Sequence, residues 1–284
     1  MPLVRFGVLI LPEERWSVAR ERWRAAEELG FDHAWTYDHL TWRTFRDKTW
    51  FGAVPTLAAA AEATSRIRLG TLVASPNFRH PVPFAKELMT LDDVSRGRFT
   101  VGIGAGSDSF DALALGHPSW PRGERTERFE EFVALLDRLL RSPATTHEGR
   151  YYSANEARSI PGCVQQPRLP FAVAGEGPRG MRVAARYGET WVTIDGRETG
   201  REQVHRLDDI CAEAGREPAS LQRLALLGFR ERPLASVDAF RDVLGRHAEL
   251  GFTDLVVHWP RRDEPFRDDR AVLDQIAADV LGKR

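Results

Sequence analysis

Lysine is almost missing from this chain of 284 residues: Lys48, Lys86 and Lys283 stand among 40 lysines and arginines. Bidentate anion binding accounts for a few of the arginines, but the bias as a whole is what a GC-rich genome produces. Net basicity is missing too. The basic residues face 41 acidic ones, for a formal charge of −1, and no sustained basic block appears. That balance argues against a nucleic-acid or anionic-membrane partner. Cysteine is scarce: Cys163 and Cys211 have no metal-ligand spacing, which fits reduced thiols in a cytoplasmic protein. No apolar run approaches the roughly 18 residues of a membrane span. The opening MPLVRFGVLILPEER is cut by Pro12, Glu13 and Glu14 with no small-residue cleavage site after it, so a first strand is expected there rather than a signal peptide.

What is present is alternation. Apolar runs of strand length stand at RFGVLIL (5–11), FDHAWTYD (31–38), RIRLGTLVAS (66–75), RFTVGIGAG (98–106), FAVAGE (171–176), ETWVTID (189–195), LALLGF (224–229) and DLVVHWP (254–260). Helical patterns separate them. The first is expected to start from Ser17 as N-cap and to place Val18, Trp23, Ala26 and Leu29 on one face, with Gly30 ending it. Others follow at 53–64, after RHPV, over 124–141, from Pro178, near 200–214 and 235–249, and near 269–282. The segment 144–170 has turn residues and adjacent tyrosines but no helical period, so a hairpin or excursion is expected. Eight strand–helix pairs without a linker predict one α/β domain over 1–284, a TIM (β/α)8 barrel with an insertion around 144–170. An open doubly wound sheet is the alternative, and the count of eight favours closure.

In a barrel, chemistry sits at the C-terminal ends of the strands. Those ends carry Glu13, Asp38 with His39, Ser75 to Asn77, Gly106 to Asp108, Gly175 to Arg179, Asp195, and His258 with Trp259. An imidazole at a barrel mouth is useful as acid, base or hydrogen-bond partner, and an adjacent carboxylate fixes its tautomer. His39 with Asp38 is therefore the candidate catalytic pair; its mundane alternative is a histidine satisfied by its surroundings. No HxH or HExxH pairing exists, and no metal is expected. Gly102, Gly104 and Gly106 in VGIGAG suit either close approach of a flat ligand or crowded barrel packing, and they match a dinucleotide fingerprint poorly because no helix opens on them. In AGEGPRG, Gly175, Gly177, the first amides of the helix from Pro178 and the Arg179 guanidinium favour an anion, although Glu176 opposes it.

The ordered set AAEELGFDHAWTYDHL, ATSRIRLGTLVASPNFRHPVPFAKELMTLDDVSRGRFTVGIGAG, RFEEFVALLDRLL, EGRYYS and GPRGMRVAARYGETWV resembles the bacterial-luciferase-like superfamily of flavin- and deazaflavin-dependent oxidoreductases. The resemblance runs strongly over residues 5 to 195 and loosely beyond. It implies a barrel with an excursion between the fourth and fifth units, and Asp38–His39 beside an isoalloxazine or deazaflavin ring. It implies a non-prolyl cis peptide at Leu72–Val73, bulging toward the ring face opposite the substrate. Gly104 and Gly106 would follow the cofactor tail, Gly175, Gly177 and Arg179 its phosphate, and Ser75, Asn77 and Ser107 would supply polar contacts. The text RIRLGTLV…RHP…AK…TLD is most similar to the branch that uses coenzyme F420, and the arginine bias fits the actinobacteria, where that coenzyme is common. The sugar-phosphate dehydrogenases of the family place a glutamate after the glycine strand. Here Ser107 and Asp108 follow Gly106, so that substrate is not carried over.

The expected function is hydride transfer between F420 and a small organic substrate, in a cytoplasmic homodimer. Trp42, Trp50 and Trp259 are the candidate pocket walls, with rim packing as the plain alternative. The loop 41–53 and the segment 144–170 are expected to frame a pocket partly aromatic and partly cationic. An FMN-dependent monooxygenase fed by a separate reductase keeps the fold and changes the chemistry, since reduced flavin activates oxygen. A non-enzymatic cofactor-binding protein ranks last, given the acid, histidine and aromatics crowded at the mouth.

Overall fold

The runs of apolar residues become parallel strands because each is buried on both faces, inward against the barrel core and outward against helices. The computed structural model describes residues 4–107, 110–195 and 200–282. Its barrel strands are β1 (Arg5–Leu9), β2 (His33–Thr36), β3 (Arg68–Ala74), β4 (Phe99–Gly104), β7 (Phe171–Ala174), β8 (Thr190–Ile194), β9 (Gln222–Leu226) and β10 (Asp254–His258). They close in the order β1-β10-β9-β8-β7-β4-β3-β2, and β1 completes the ring by pairing Leu9 with both Trp35 and His258. Closure settles the choice between a TIM barrel and an open sheet. The segment 144–170 carries an antiparallel hairpin, β5 (Ala144–Glu148) with β6 (Ser153–Arg158), between the fourth and fifth barrel strands.

The helices are α1 (Trp16–Glu28), α2 (Ala53–Ala63), α3 (Pro81–Val94), α4 (Phe110–Ala114), α5 (Arg122–Arg141), α6 (Pro178–Tyr187), α7 (Gly200–Glu213), α8 (Val237–Glu249) and α9 (Arg270–Ile276). Their apolar stripes meet the outer faces of the strands in one large core, which holds Trp23, Phe84, Phe132, Phe171 and Trp191. A second, smaller core fills the barrel interior with Leu9, Trp35, Leu72, Val192, Leu224 and Val256, and runs upward into Tyr37, Trp42, Phe45 and Phe266. Ser17 does not cap α1: the helix starts at Trp16, after Arg15, without a side-chain cap. Val18 accordingly faces solvent, while Ala19, Trp23 and Ala26 are buried. Gly30 ends the helix with φ of 86°, a conformation that glycine adopts without steric cost. Two short pieces had no periodicity to announce them, the turn of 3-10 helix Arg43–Phe45 and α4. Among the described residues no helix is long and apolar enough to cross a membrane.

The N-terminal end of the barrel is closed by a buried polar network. Asp254 accepts from Arg5 (2.8 Å) and Thr253 Oγ1 (2.6 Å) and lies 3.0 Å from His33 Nε2, whose Nδ1 takes the Trp35 indole N–H. Burial alone would raise the Asp254 carboxyl, but the hydrogen bonds and charges of His33 and Arg5 outweigh it and hold it at about 2. The opposite end, where β2, β3, β4 and β7 finish, is the mouth.

Candidate active site at the barrel mouth

β2 delivers His39 to the mouth, and the buried carboxylate beside its ring is Asp111. His39 Nδ1 lies 2.7 Å from Asp111 Oδ2, and Asp111 Oδ1 takes the Leu40 N–H at 2.8 Å. The Asp111 side chain is wholly buried, while the imidazole retains 14% exposure. A carboxylate accepts hydrogen bonds, so Nδ1 carries the proton and the neutral ring keeps its lone pair on Nε2. No protein atom among the described residues occupies that nitrogen. The sequence assigned this role to Asp38. Instead both Asp38 oxygens are taken by Arg79, Nε at 3.0 Å and Nη2 at 2.7 Å, and Arg79 Nη1 reaches Glu87 at 2.9 Å. Adjacent residues at a strand end point to opposite sides, so Asp38 stabilises the wall and cannot orient its neighbour.

A second histidine is locked out of acid–base work. His258 Nδ1 donates to Leu227 O at 2.9 Å and Nε2 accepts from the Tyr37 hydroxyl at 2.7 Å. Burial pushes His258 down to about 3 and raises Tyr37 well above the ordinary phenol range, so both stay neutral at physiological pH. His258 stacks on Phe266, and Trp42 stacks on Phe266, Phe45 and Trp50, which gives the mouth an aromatic floor. The Trp50 indole donates to His39 O at 2.9 Å and pins the loop against the candidate base. Trp42 and Trp50, two of the candidate pocket walls, thus stack on each other. Trp259 does not join them: it is buried in the outer core, under the guanidinium of Arg270.

On the far side, the Leu72–Val73 peptide is cis, and the β3–β4 register shifts between Thr71 and Ala74. The glycines of β4 answer to protein packing. A Cβ on Gly102 would fall 2.0 Å from Thr71 O, and one on Gly104 would fall 2.9 Å from Val73 Cγ2. Gly106 has φ of 71°, and its Cβ would lie 2.5 Å from Asn77 Nδ2, which donates to Ser107 O at 3.0 Å. Asn77 and Ser107 therefore tie the ends of β3 and β4 together. Ser75 is buried, and its Oγ has no hydrogen-bond partner among the described residues. Gly175 abuts Gly180 across the β7–α6 turn. Gly177 is the N-cap of α6 with Pro178 after it, but Arg179 turns away and pairs with Glu130 through Nε (2.8 Å) and Nη2 (2.5 Å). The guanidinium next to Gly177 is that of Arg122, 3.7 Å from where a Cβ would stand. Asp108 lies outside the described residues. Among those described, no group of three or more His, Cys, Asp or Glu is placed to hold a metal ion.

Sequence reasoning missed Asp111, Arg79 and Arg122. Asp111 sits 72 positions from His39, in a stretch without helical period, and only the fold unites them.

The sequence matches the family described as luciferase-like monooxygenase over residues 3–230. A curated protein of Beutenbergia cavernae named F420-dependent glucose-6-phosphate dehydrogenase is 40% identical over 311 aligned residues, covering 90% of each chain. That relative bears the substrate that the residues after Gly106 had argued against. The solved coenzyme F420 dependent tetrahydromethanopterin reductase from Methanopyrus kandleri superposes with a TM-score of 0.81 at 19% identity over 99% of both chains. Monooxygenase RslO1 from Streptomyces bottropensis gives 0.80 at 22% identity, again over 99% of both. The two solved structures share the fold.

Proposed function

Because this chain belongs to the luciferase-like monooxygenase family, we propose that it is an oxidoreductase moving a hydride between coenzyme F420 and a small organic substrate, with His39 handling the accompanying proton. The observation that carries the reading is the His39–Asp111 pair: a buried carboxylate on Nδ1 leaves Nε2 as the base at the mouth. The F420 assignment draws its support from the Beutenbergia cavernae relative.

The residues present fit a flat, polar-edged cofactor. An unpaired buried hydroxyl costs roughly 1–3 kcal/mol, and Ser75 Oγ, without a partner among the described residues, carries that cost next to the Leu72–Val73 bulge. A polar ring edge would satisfy it. Leu72 and Val73 would support the ring. Gly177, the open amides at the start of α6 and Arg122 would hold a phosphate, while Arg179 is neutralised by Glu130. When bound, the deazaflavin supplies a centre that takes or gives a hydride. The chain supplies the rest. A carbon losing hydride beside an oxygen makes its O–H acidic, and His39 Nε2 is placed to accept that proton. Asp111 stabilises the resulting imidazolium and returns it to the same tautomer. Tyr37, Trp42 and Trp50 keep water from the imidazole.

The test is a titration of the cofactor-free protein with F420 and with flavin mononucleotide, followed by turnover with an oxygen electrode. F420 is expected to saturate the protein and turnover to consume no oxygen. Binding of reduced flavin mononucleotide alone, with substrate-dependent oxygen uptake, would overturn the reading in favour of a monooxygenase served by a separate reductase.

A further inference from the structure

Four arginines lie over aromatic rings at the mouth, and they differ in how their charge is met; Arg46, over Phe110 alone at 5.0 Å, also has no acceptor among the described residues. Arg261, over Phe45 at 4.8 Å, gives Nε and Nη2 to the two oxygens of Glu13. Arg79, over Phe78 and Phe84, is matched by Asp38 and Glu87. Arg43 lies over Trp42 at 4.9 Å and over Phe229 at 5.3 Å, and no acceptor among the described residues meets its guanidinium.

Its placement is specific. Trp42 belongs to the segment after β2 and Phe229 to the segment after β9, so the side chain bridges two rims of the mouth. The backbone of Arg43 is left-handed, with φ of 44°, a region that non-glycine residues occupy when their surroundings hold them there. Tyr37, whose ring borders both Trp42 and His39, feels the Arg43 charge at its buried hydroxyl. Arg43 is exposed; the two ring faces fix its guanidinium without neutralising it, and the N–H edge left open at the mouth is matched by an oxyanion.

We propose that Arg43 is the anion subsite of the substrate pocket, so that the substrate carries a phosphate or carboxylate seated on this guanidinium while its reacting carbon faces His39. The assignment of that anion to a substrate rests on the oxidoreductase reading above. The test is calorimetric binding of inorganic phosphate and, separately, of acetate to the full chain, with F420 titrated in parallel. The proteins are wild type, Arg43→Gln and Arg43→Lys; both variants keep a side chain at the same left-handed position. Wild type is expected to bind at least one anion, and the tighter of the two names the group. Arg43→Gln should weaken it about 10- to 100-fold, the scale of one lost charge-assisted contact. Arg43→Lys should fall between, with charge but no fork, and F420 affinity should be unchanged in all three. Equal anion binding by wild type and Arg43→Gln, or none by wild type, overturns the proposal. So does a loss confined to F420, which would give Arg43 to the cofactor. If wild type fails to bind F420 while phosphate binding still depends on Arg43, the F420 reading falls and the anion site stands.

Discussion

Replacing Asp111 by asparagine preserves the shape of the side chain and removes its charge, and the geometry restricts what the amide can do. The buried carboxylate takes His39 Nδ1–H on Oδ2 at 2.7 Å and, on Oδ1, the N–H groups of Leu40 at 2.8 Å and Thr41 at 3.5 Å. An amide offers one carbonyl. If that carbonyl keeps His39, the Leu40 N–H faces an NH2 group and goes unpaired, at a cost of about 1–3 kcal/mol. If it keeps Leu40, the NH2 group faces Nδ1, the ring proton must move to Nε2, and the mouth loses its base. In both arrangements the imidazolium loses its counter-charge. Positioned acid–base catalysis is worth roughly 100- to 10,000-fold, so Asp111→Asn should slow hydride transfer by about 100-fold or more. Stopped-flow absorbance of F420 on a single turnover reads this directly, with F420 affinity expected to hold. Asp38→Asn is the contrasting control, because its loss falls on Arg79 and thus on stability. A wild-type rate and an unmoved pH–rate profile in Asp111→Asn would refute the reasoning, as would a larger rate loss in Asp38→Asn than in Asp111→Asn.

Two predictions concern stability against pH. His258 resists protonation down to about 3 in the fold but takes a proton near 6.5 when unfolded, so stability is full above 6.5 and declines as pH falls toward 3. Chemical denaturation at pH 5 should show about 2 kcal/mol less stability than at pH 7 from this group, at 1.36 kcal/mol per unit, and His258→Asn should flatten that slope. Asp254 behaves as a depressed carboxyl, with its contribution complete above 3.8 and lost as pH falls through about 2. Asp254→Asn should therefore cost about 2 kcal/mol at pH 7, leave F420 affinity unchanged, and remove that acid-sensitive step; an unchanged denaturation midpoint at pH 7 would contradict it.

The barrel was legible because strands buried on both faces write continuous apolar runs, and eight of them were visible from RFGVLIL to DLVVHWP. Strand ends then pointed to His39, Ser75, Asn77 and His258 as mouth residues, where the structure places them. Pairings were harder to read. Asp38 stands next to His39 in the chain, yet side-chain alternation sends it to Arg79, while Asp111 arrives from a five-residue helix with no period to reveal it. Trp259 follows His258 and by the same alternation turns outward under Arg270. The glycine strand admitted two explanations, and the short distances from Gly102 to Thr71 and from Gly104 to Val73 favour packing.

Hydride transfer by His39→Ala with F420 already bound probes the central claim most directly. With an alcohol that the wild type oxidises, the variant should bind F420 normally and lose about 100-fold or more of its single-turnover rate, since the proton has no other acceptor at Nε2. A variant that binds F420 and transfers hydride at the wild-type rate would contradict it.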